Sequence, residues 1–405
     1  MIKMMIPSKD ETKKALETEL NKLEKENLTP EEIPEEDEND DILTDHVDHI
    51  DPLKLIPLGS TLLNLACSDH VEGGFYCGKM ARIYGDSDTS KTLDAMTILK
   101  ETSLYPHFDN YDLVFDDAEQ AFEMNVGGMF GKSFENRLVM QDPPSDTVED
   151  FYRNLLVRLN AGKPFIYVLD STDCLTTRAE IERSKQLEKV AKVKESKTER
   201  QEIVEEKEPD SDDAKLKGSY ETEKAKIFSG MFRRLRTPIF LSGSAIILLS
   251  QIRDTIGFKA KFSPKSLSGG KAIKFYMTHQ LDVSVIKRGK YQVGPITFAD
   301  QMDCLVKVDK NKLIGRKTEV QFPVKATYGI DDLTSCVDFL DKCGHWSKEK
   351  QTLIAKELGI KGTKDTIIRF IEEKNLEPKL KQIMQVAWNN LLVQMNKTSR
   401  KSKYS

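Results

Sequence analysis

The chain has little cysteine, little tryptophan and no long apolar run. Its 405 residues include six cysteines and two tryptophans. Cys67, Cys77, Cys174, Cys304, Cys336 and Cys343 stand apart, with no CxxC pair and no neighbouring histidine cluster. That spacing matches neither a zinc site nor a secreted disulfide framework, and the thiols are read as reduced. No uninterrupted apolar run reaches the ~18 residues of a membrane span, and the N-terminus lacks the apolar core of a signal peptide. A cytoplasmic protein with no membrane partner is expected. Charge is plentiful, at 31% of residues against 39% hydrophobic. Such a composition describes a soluble protein with a heavily charged surface, and the length accommodates two or three domains.

The formal net charge of −5 is unevenly spread. Residues 1–57 hold seven Lys/Arg against 17 Asp/Glu, a net of −10, so the remaining 348 residues sum to +5. A basic body with an acidic arm is compatible with a nucleic-acid partner, although many ordinary proteins share that balance. Within the arm, Ala15, Leu16, Leu20 and Leu23 recur at helical spacing and predict a short amphipathic helix over 10–27. The acidic, Pro-containing stretch after it reads as flexible, either an inert tail or a subunit-contacting arm.

From residue 58 short apolar runs take over: "MARIYG", "YDLVFDD", "FIYVLDS", "AIILLSQ" and "QLDVSVIK". Helix-like segments separate several of them, which indicates an α/β core over 58–330 on a mainly parallel sheet flanked by helices. Residues 184–217 interrupt the order with a Lys/Glu-rich insertion free of aromatics, expected to be a solvated helical or disordered excursion. From about 331 to 396 the patterning is mostly helical and suggests a small C-terminal domain, followed by a basic tail over 397–405.

Ligands of parallel sheets bind beyond the carboxyl ends of the strands, and polar residues collect there. "RIYGDSDTSKT" has the form GxxxxGK[ST] except that Ser90 holds the second glycine position. Gly85, Asp86, Ser87, Asp88, Thr89 and Ser90 would form a phosphate cradle, with Lys91 on the phosphates and Thr92 on a magnesium ion. A serine forced into a glycine-only conformation would cost about 1–3 kcal/mol. Taken alone, the match fits a nucleotide site or a coincidence. Asp170, ending "FIYVLD", has the form of a Walker B carboxylate, or of a helix cap. Glu119, after "LVFDD", could polarise an attacking water. Gln251, after "AIILLS", could bond a γ phosphate. The stretch 253–276 is loop-like and cationic through Arg253, Lys259, Lys261, Lys265, Lys271 and Lys274 around Gly269 and Gly270. It suits a phosphodiester backbone or an ordinary basic surface loop.

With these pieces in place, the chain resembles the RecA recombinase family over roughly residues 55–390. The resemblance rests on "GKMARIYGDSDTSKT", "FDDAEQAF", "VLDSTDCLTTRAEIE", "VKVDKNKL", "GHWSKEKQTLIAKELG" and, most specifically, "SQIRDTIG" with "SGGKAIKFYMTHQLDV". It implies Lys91 and Thr92 for ATP and Mg²⁺, Asp170 as Walker B, Glu119 as the activating carboxylate and Gln251 as a γ-phosphate sensor reporting to a DNA loop near 254–270. It further implies Phe275 at a subunit contact, Lys310 and Lys312 reaching the neighbouring subunit's ATP, and Tyr328 stacking on the base. The implied partners are single-stranded DNA, homologous duplex DNA, further copies of the chain in a helical filament, and mediator and single-strand-binding proteins. The implied activity is ATP-dependent strand exchange with DNA-dependent hydrolysis. Rival readings are a non-hydrolysing coating filament and a RecA-core helicase-type motor. The chain departs from the family pattern at Ser90, at Val126 and Glu123 in the base-contacting segment, in the 184–217 insertion and in its basic tail, which suggests a diverged phage or prophage member.

Overall fold

The computed structural model describes the backbone of residues 50–186, 212–254, 265–267 and 270–397. Residues 1–49 with the expected N-terminal helix, residues 187–211 of the insertion, Lys259, Lys261, Gly269 and the tail from residue 398 lie outside the described residues.

The strands are β1 (Leu55–Ile56), β2 (Phe75–Tyr76), β3 (Met80–Gly85), β4 (Asp112–Asp117), β5 (Leu138–Met140), β6 (Phe165–Asp170), β7 (Ala245–Asp254) and β8 (Lys265–Leu267). They continue as β9 (His279–Val293), β10 (Ile296–Asn311), β11 (Glu319–Lys325), β12 (Gly329–Ile330), β13 (Ser347–Glu349), β14 (Thr352–Ala355) and β15 (Ile360–Gly362). The helices are α1 (Thr61–Ser68), α2 (Lys91–Thr102), α3 (Val126–Phe130), α4 (Lys132–Arg137), α5 (Val148–Ala161), α6 (Asp212–Ser242), α7 (Gly270–Tyr276), α8 (Asp332–Lys342), α9 (Lys364–Lys374) and α10 (Glu377–Lys397).

Among the described residues the main sheet runs β12-β11-β10-β9-β3-β7-β6-β4-β5, with β8 paired to β7. From β9 to β5 every pairing is parallel. β3 and β6 are buried along their whole length. Such strands are covered on both faces by helices, so they read as continuous apolar runs rather than alternating ones. β9, β10, β11 and β12 extend the sheet antiparallel. The fold is therefore the expected α/β type with a mainly parallel sheet, enlarged by an antiparallel wing.

Two apolar layers flank the sheet. One joins α1 and α2 to the inner faces of the strands and continues into Val337, Ile371 and Trp388 of α8, α9 and α10. The other packs α5 and α6 onto the opposite face through Phe151, Phe228, Phe232 and Tyr167. The mostly helical region after residue 331 also contains the three-stranded sheet β13-β14-β15. Its sequence, "SKEKQTLIAKELGIKG", is too charged and its strands too short to signal themselves by alternation.

Topology positions the site. β3 lies between β7 and β9, while the next strand, β4, lies beyond β7 and β6. The crossover starting with α2 leaves a cleft at the carboxyl ends of β3, β6 and β4, where the polar residues gather.

Candidate functional site

β3 runs directly into the loop 86–90, and α2 starts at Lys91. Gly85 is obligatory at the bend, because a Cβ there would lie 2.2 Å from the backbone oxygen of Val283. Ser90 is not strained. Its φ is −75° and its ψ 8°, a conformation open to any residue. The left-handed residue of the loop is Asp88, at φ 56°, and aspartate tolerates that region better than most residues. The Ser90 side chain turns into the core, 3% exposed, and its Oγ donates to Asp94 Oδ2 at 2.8 Å. It leaves the outer side of the loop clear. Lys91 Nζ donates to the carbonyl of Asp86 at 2.6 Å and to Thr89 Oγ1 at 2.9 Å. Burial lowers the Lys91 pKa, opposed by the nearby charges of Asp170 and Glu119.

The carboxylates converge on the first turn of α2. Thr92 Oγ1 donates to Asp170 Oδ2 at 2.6 Å. Asp117 and Asp170 are register partners at the ends of β4 and β6. Glu119 lies two residues past β4; its Oε1 accepts from Ser171 Oγ at 2.6 Å and from Gln251 Nε2 at 3.2 Å. Gln251 does not end its strand but pairs with Gly85, and β7 continues to Asp254. Burial, then the neighbouring charges of Glu119 and Asp117, push Asp170 up to about 6 against bonding from Thr92. Thr92, Asp117, Glu119, Phe122, Glu123 and Asp170 line a cavity of about 270 Å³.

Other predicted positions lie elsewhere. Val126 is buried in the core on α3. Tyr328 is exposed and lines a separate cavity of about 520 Å³ with Thr97, Met129 and Phe130. Lys310 Nζ and Lys312 Nζ donate to the carbonyl of Phe275, at 3.2 and 3.3 Å, and the Lys312 ammonium lies 5.5 Å from the Phe275 ring centre. Phe275 itself is 68% exposed. Burial, then the adjacent Lys312 and Lys274, lower Lys310 to about 8. In the basic stretch, Arg253 and Lys265 belong to β7 and β8, whose antiparallel pairing opposes Arg253 to Ser266, while Gly270 and Lys271 open α7.

Sequence reasoning passed over Ser171, Asp173, Asp94 and Arg288. Arg288, on the antiparallel wing, donates to the Asp88 carbonyl at 2.9 Å. No local spacing announces that contact, because 200 residues separate the partners. Ser171 and Asp173 did carry a signal, as the polar run "DSTD" directly follows a buried strand.

These features define an α/β protein with a RecA-type core. The family model described as the RecA N-terminal domain matches residues 204–331. The chain is 26% identical over 358 residues to Protein RecA of Nautilia profundicola, spanning 86% of this chain and 88% of that protein. It is 27% identical over 303 residues to Protein RecA of Bartonella quintana, spanning 73% of each. It is 25% identical over 353 residues to Protein RecA of Caldanaerobacter subterraneus, spanning 84% and 87%. Over most of its length the chain is similar to these RecA proteins, and the part matched by the family model lies within the α/β core.

Proposed function

We propose that the chain is an ATP-dependent DNA recombinase that assembles as a helical filament on single-stranded DNA, pairs it with homologous duplex DNA and hydrolyses ATP when assembled. The observation that carries this reading is the 2.6 Å bond between Thr92 and Asp170 beside Glu119 and Gln251, at the start of a helix that follows a glycine-hinged loop. The donors fit the groups the family implies. Thr92 Oγ1 and the Asp170 carboxylate, 2.6 Å apart, are oxygen ligands, as Mg²⁺ requires. The N–H groups of 86–92 at the start of α2, with Lys91, suit a triphosphate.

When bound, the magnesium ion would offset the charge of the phosphates. Lys91 exchanges its bonds to Asp86 and Thr89 for phosphate oxygens. Glu119 orients and deprotonates the attacking water, held in place by Ser171 and Gln251. Gln251 divides its amide between Glu119 and the γ phosphate, and so reports occupancy along β7 to the basic stretch that holds DNA through Arg253, Lys259, Lys261, Lys265, Gly269, Gly270 and Lys271. Lys310 and Phe275 line a cavity separate from this cluster, and with Lys312 would serve the neighbouring protomer. Tyr328, which the resemblance assigns to the base, would reach it from the separate cavity it lines with Thr97 and Met129. We read 58–330 as the ATPase core, 331–396 as an appended small domain, and the cytoplasm as the setting, with mediator and single-strand-binding proteins as further partners.

The test compares DNA-stimulated ATP turnover and strand exchange in the native chain and Lys91→Ala. Turnover is expected to fall at least ~10²-fold, the scale of removing one pre-placed charge at a reacting phosphate. Equal activity in both proteins refutes the reading. A filament that coats DNA without hydrolysis is disfavoured by the unstrained Ser90 backbone and by the intact Glu119–Gln251 bond.

A further inference from the structure

Arg82 stands in the middle of the apolar strand "MARIYG" and is 1% exposed. Burying a guanidinium costs several kcal/mol unless it is paired and bonded, so its surroundings carry information. Its Nε donates to Ser250 Oγ at 2.8 Å, and the Tyr84 ring lies 5.8 Å away. Ser250 Oγ is 2.7 Å from Thr172 Oγ1. The charge of Asp173 opposes the burial that lowers the Arg82 pKa to about 10. Asp173 Oδ2 in turn accepts the backbone N–H of Gln251 at 2.8 Å. The backbone adds a further tie, from Thr172 N–H to the Leu249 carbonyl at 3.0 Å.

These contacts join β3, the turn after β6 and β7 at one level of the sheet. That turn is continuous with Asp170 and Ser171, which bond Thr92 and Glu119. One residue beyond Gln251, β7 begins its pairing with β8 in the basic stretch. Gln251 is thus held twice, by its side chain to Glu119 and by its main chain to Asp173. A side-chain bond alone leaves the strand free to stay put when the amide swings. The main-chain bond obliges the strand to follow the turn.

We propose that Arg82 and Asp173 are positioning residues, forming with Ser250 and Thr172 a buried clamp that makes the Asp170–Asp173 turn and the base of the β7–β8 hairpin move as one body. Resting on the nucleotide-binding reading above, the clamp supplies a second route from the phosphate site to the DNA-binding stretch, through the main chain of Gln251. Neither residue needs to touch the nucleotide.

The test titrates a single-stranded oligonucleotide with and without magnesium ATP, and a fluorescent ATP analogue in parallel, against the native chain, Asp173→Ala, Asp173→Asn and Lys91→Ala. The native chain is expected to bind the oligonucleotide more tightly with magnesium ATP, by about 5- to 150-fold if the coupling is ordinary in size. Asp173→Ala is expected to bind the analogue as the native chain does while losing most of that tightening. Asp173→Asn, which keeps an oxygen for the Gln251 N–H but not the charge that offsets the burial of Arg82, should fall between them. Full tightening in Asp173→Ala, with Lys91→Ala losing it, overturns the clamp and leaves the nucleotide reading standing. Loss of analogue binding in Asp173→Ala overturns it too, since the residue would then belong to the binding site. No tightening in the native chain overturns both. If thermal melting shows Asp173→Ala unfolded, Asp173→Asn decides, and native tightening in it overturns the clamp.

Discussion

The hydroxyl of Ser90 donates to the carboxyl group of Asp94 at 2.8 Å, inside the core and one turn into α2. The serine that breaks the glycine pattern of the phosphate loop is therefore a partner of a buried acid. The second oxygen of Asp94, Oδ1, has no hydrogen-bond partner. Replacing Ser90 by the glycine of the usual pattern should thus weaken the fold. Ser90→Gly removes the bond to a buried carboxyl and is expected to lower unfolding stability by about 1–3 kcal/mol. Ser90→Gly with Asp94→Ala should cost less than the two single changes added together, as bonded neighbours do. Urea unfolding of the four proteins checks this, and a Ser90→Gly chain as stable as the native one would remove the pairing.

Asp94 also sets a pH dependence. Burial, only partly offset by the Ser90 bond and by Lys91, raises its carboxyl to about 7. An acid raised in the folded state binds a proton there that the unfolded chain has already released, so its contribution to stability falls as pH rises from about 4, the unfolded value, towards 7. Asp94→Asn, which cannot ionise and still accepts from Ser90, should flatten that slope and be more stable than the native chain above pH 7. Melting temperature against pH for the two proteins gives the comparison, and parallel curves would contradict it.

Asp170 predicts a pH response of a different kind. With its carboxyl raised to about 6, a growing fraction is protonated below that pH, and a neutral carboxyl is a poor partner for a divalent cation. Magnesium-dependent nucleotide affinity should weaken as pH falls through about 6, while metal-free nucleotide affinity changes less. Calorimetric titration at pH 5.5 and 7.5, with and without magnesium, separates the two. Asp170→Asn should remove the difference.

The legible parts of this chain were those in which burial and chemistry agree. β3 and β6 are buried on both faces, so "MARIYG" and "FIYVLD" stand out as apolar runs, and the polar residues that follow them mark the cleft. Of the antiparallel wing, β9 showed itself as the apolar run "QLDVSVIK", whereas β10 was hidden because its first four residues are exposed and it carries charges such as Asp303, Lys307 and Asp309. The backbone angle of Ser90 could not be read either, because whether that position needs a glycine depends on how Asp88 takes up the left-handed turn. Arg82 was visible as a charge in an apolar strand, but its meaning depends on Ser250 and Asp173, contributed by two other segments of the core.

The glycine at the start of the loop is a stricter requirement than the one at its end. A Cβ on Gly85 would meet the Val283 carbonyl oxygen at 2.2 Å, and that oxygen belongs to the neighbouring strand β9, which cannot yield without breaking its register. Gly85→Ala should cost more than Ser90→Gly, at or above the ~1–3 kcal/mol of ordinary overpacking. Denaturant midpoints measured side by side rank the two, and the reverse ranking would mean that β9 moves freely.

Phe275 makes the sharpest distinction between a folding role and an assembly role. Its ring is 68% exposed, braced edge-on by Tyr276 and capped by the Lys312 ammonium 5.5 Å from its centre. An exposed aromatic in that setting adds little to the stability of its own protomer, whereas as an interface anchor its loss commonly costs ~2 kcal/mol or more per contact. Phe275→Ala should therefore keep the native melting temperature and the native affinity of the single protomer for a nucleotide analogue. Its assembly, followed by light scattering on single-stranded DNA with magnesium ATP, should need at least ~30-fold more protein, the ratio that such an energy sets at each contact. Lys310→Ala should behave differently, assembling normally while DNA-dependent turnover falls, because its ammonium would serve the nucleotide rather than the packing. Normal assembly of Phe275→Ala would detach this surface from the filament, whatever the turnover of Lys310→Ala.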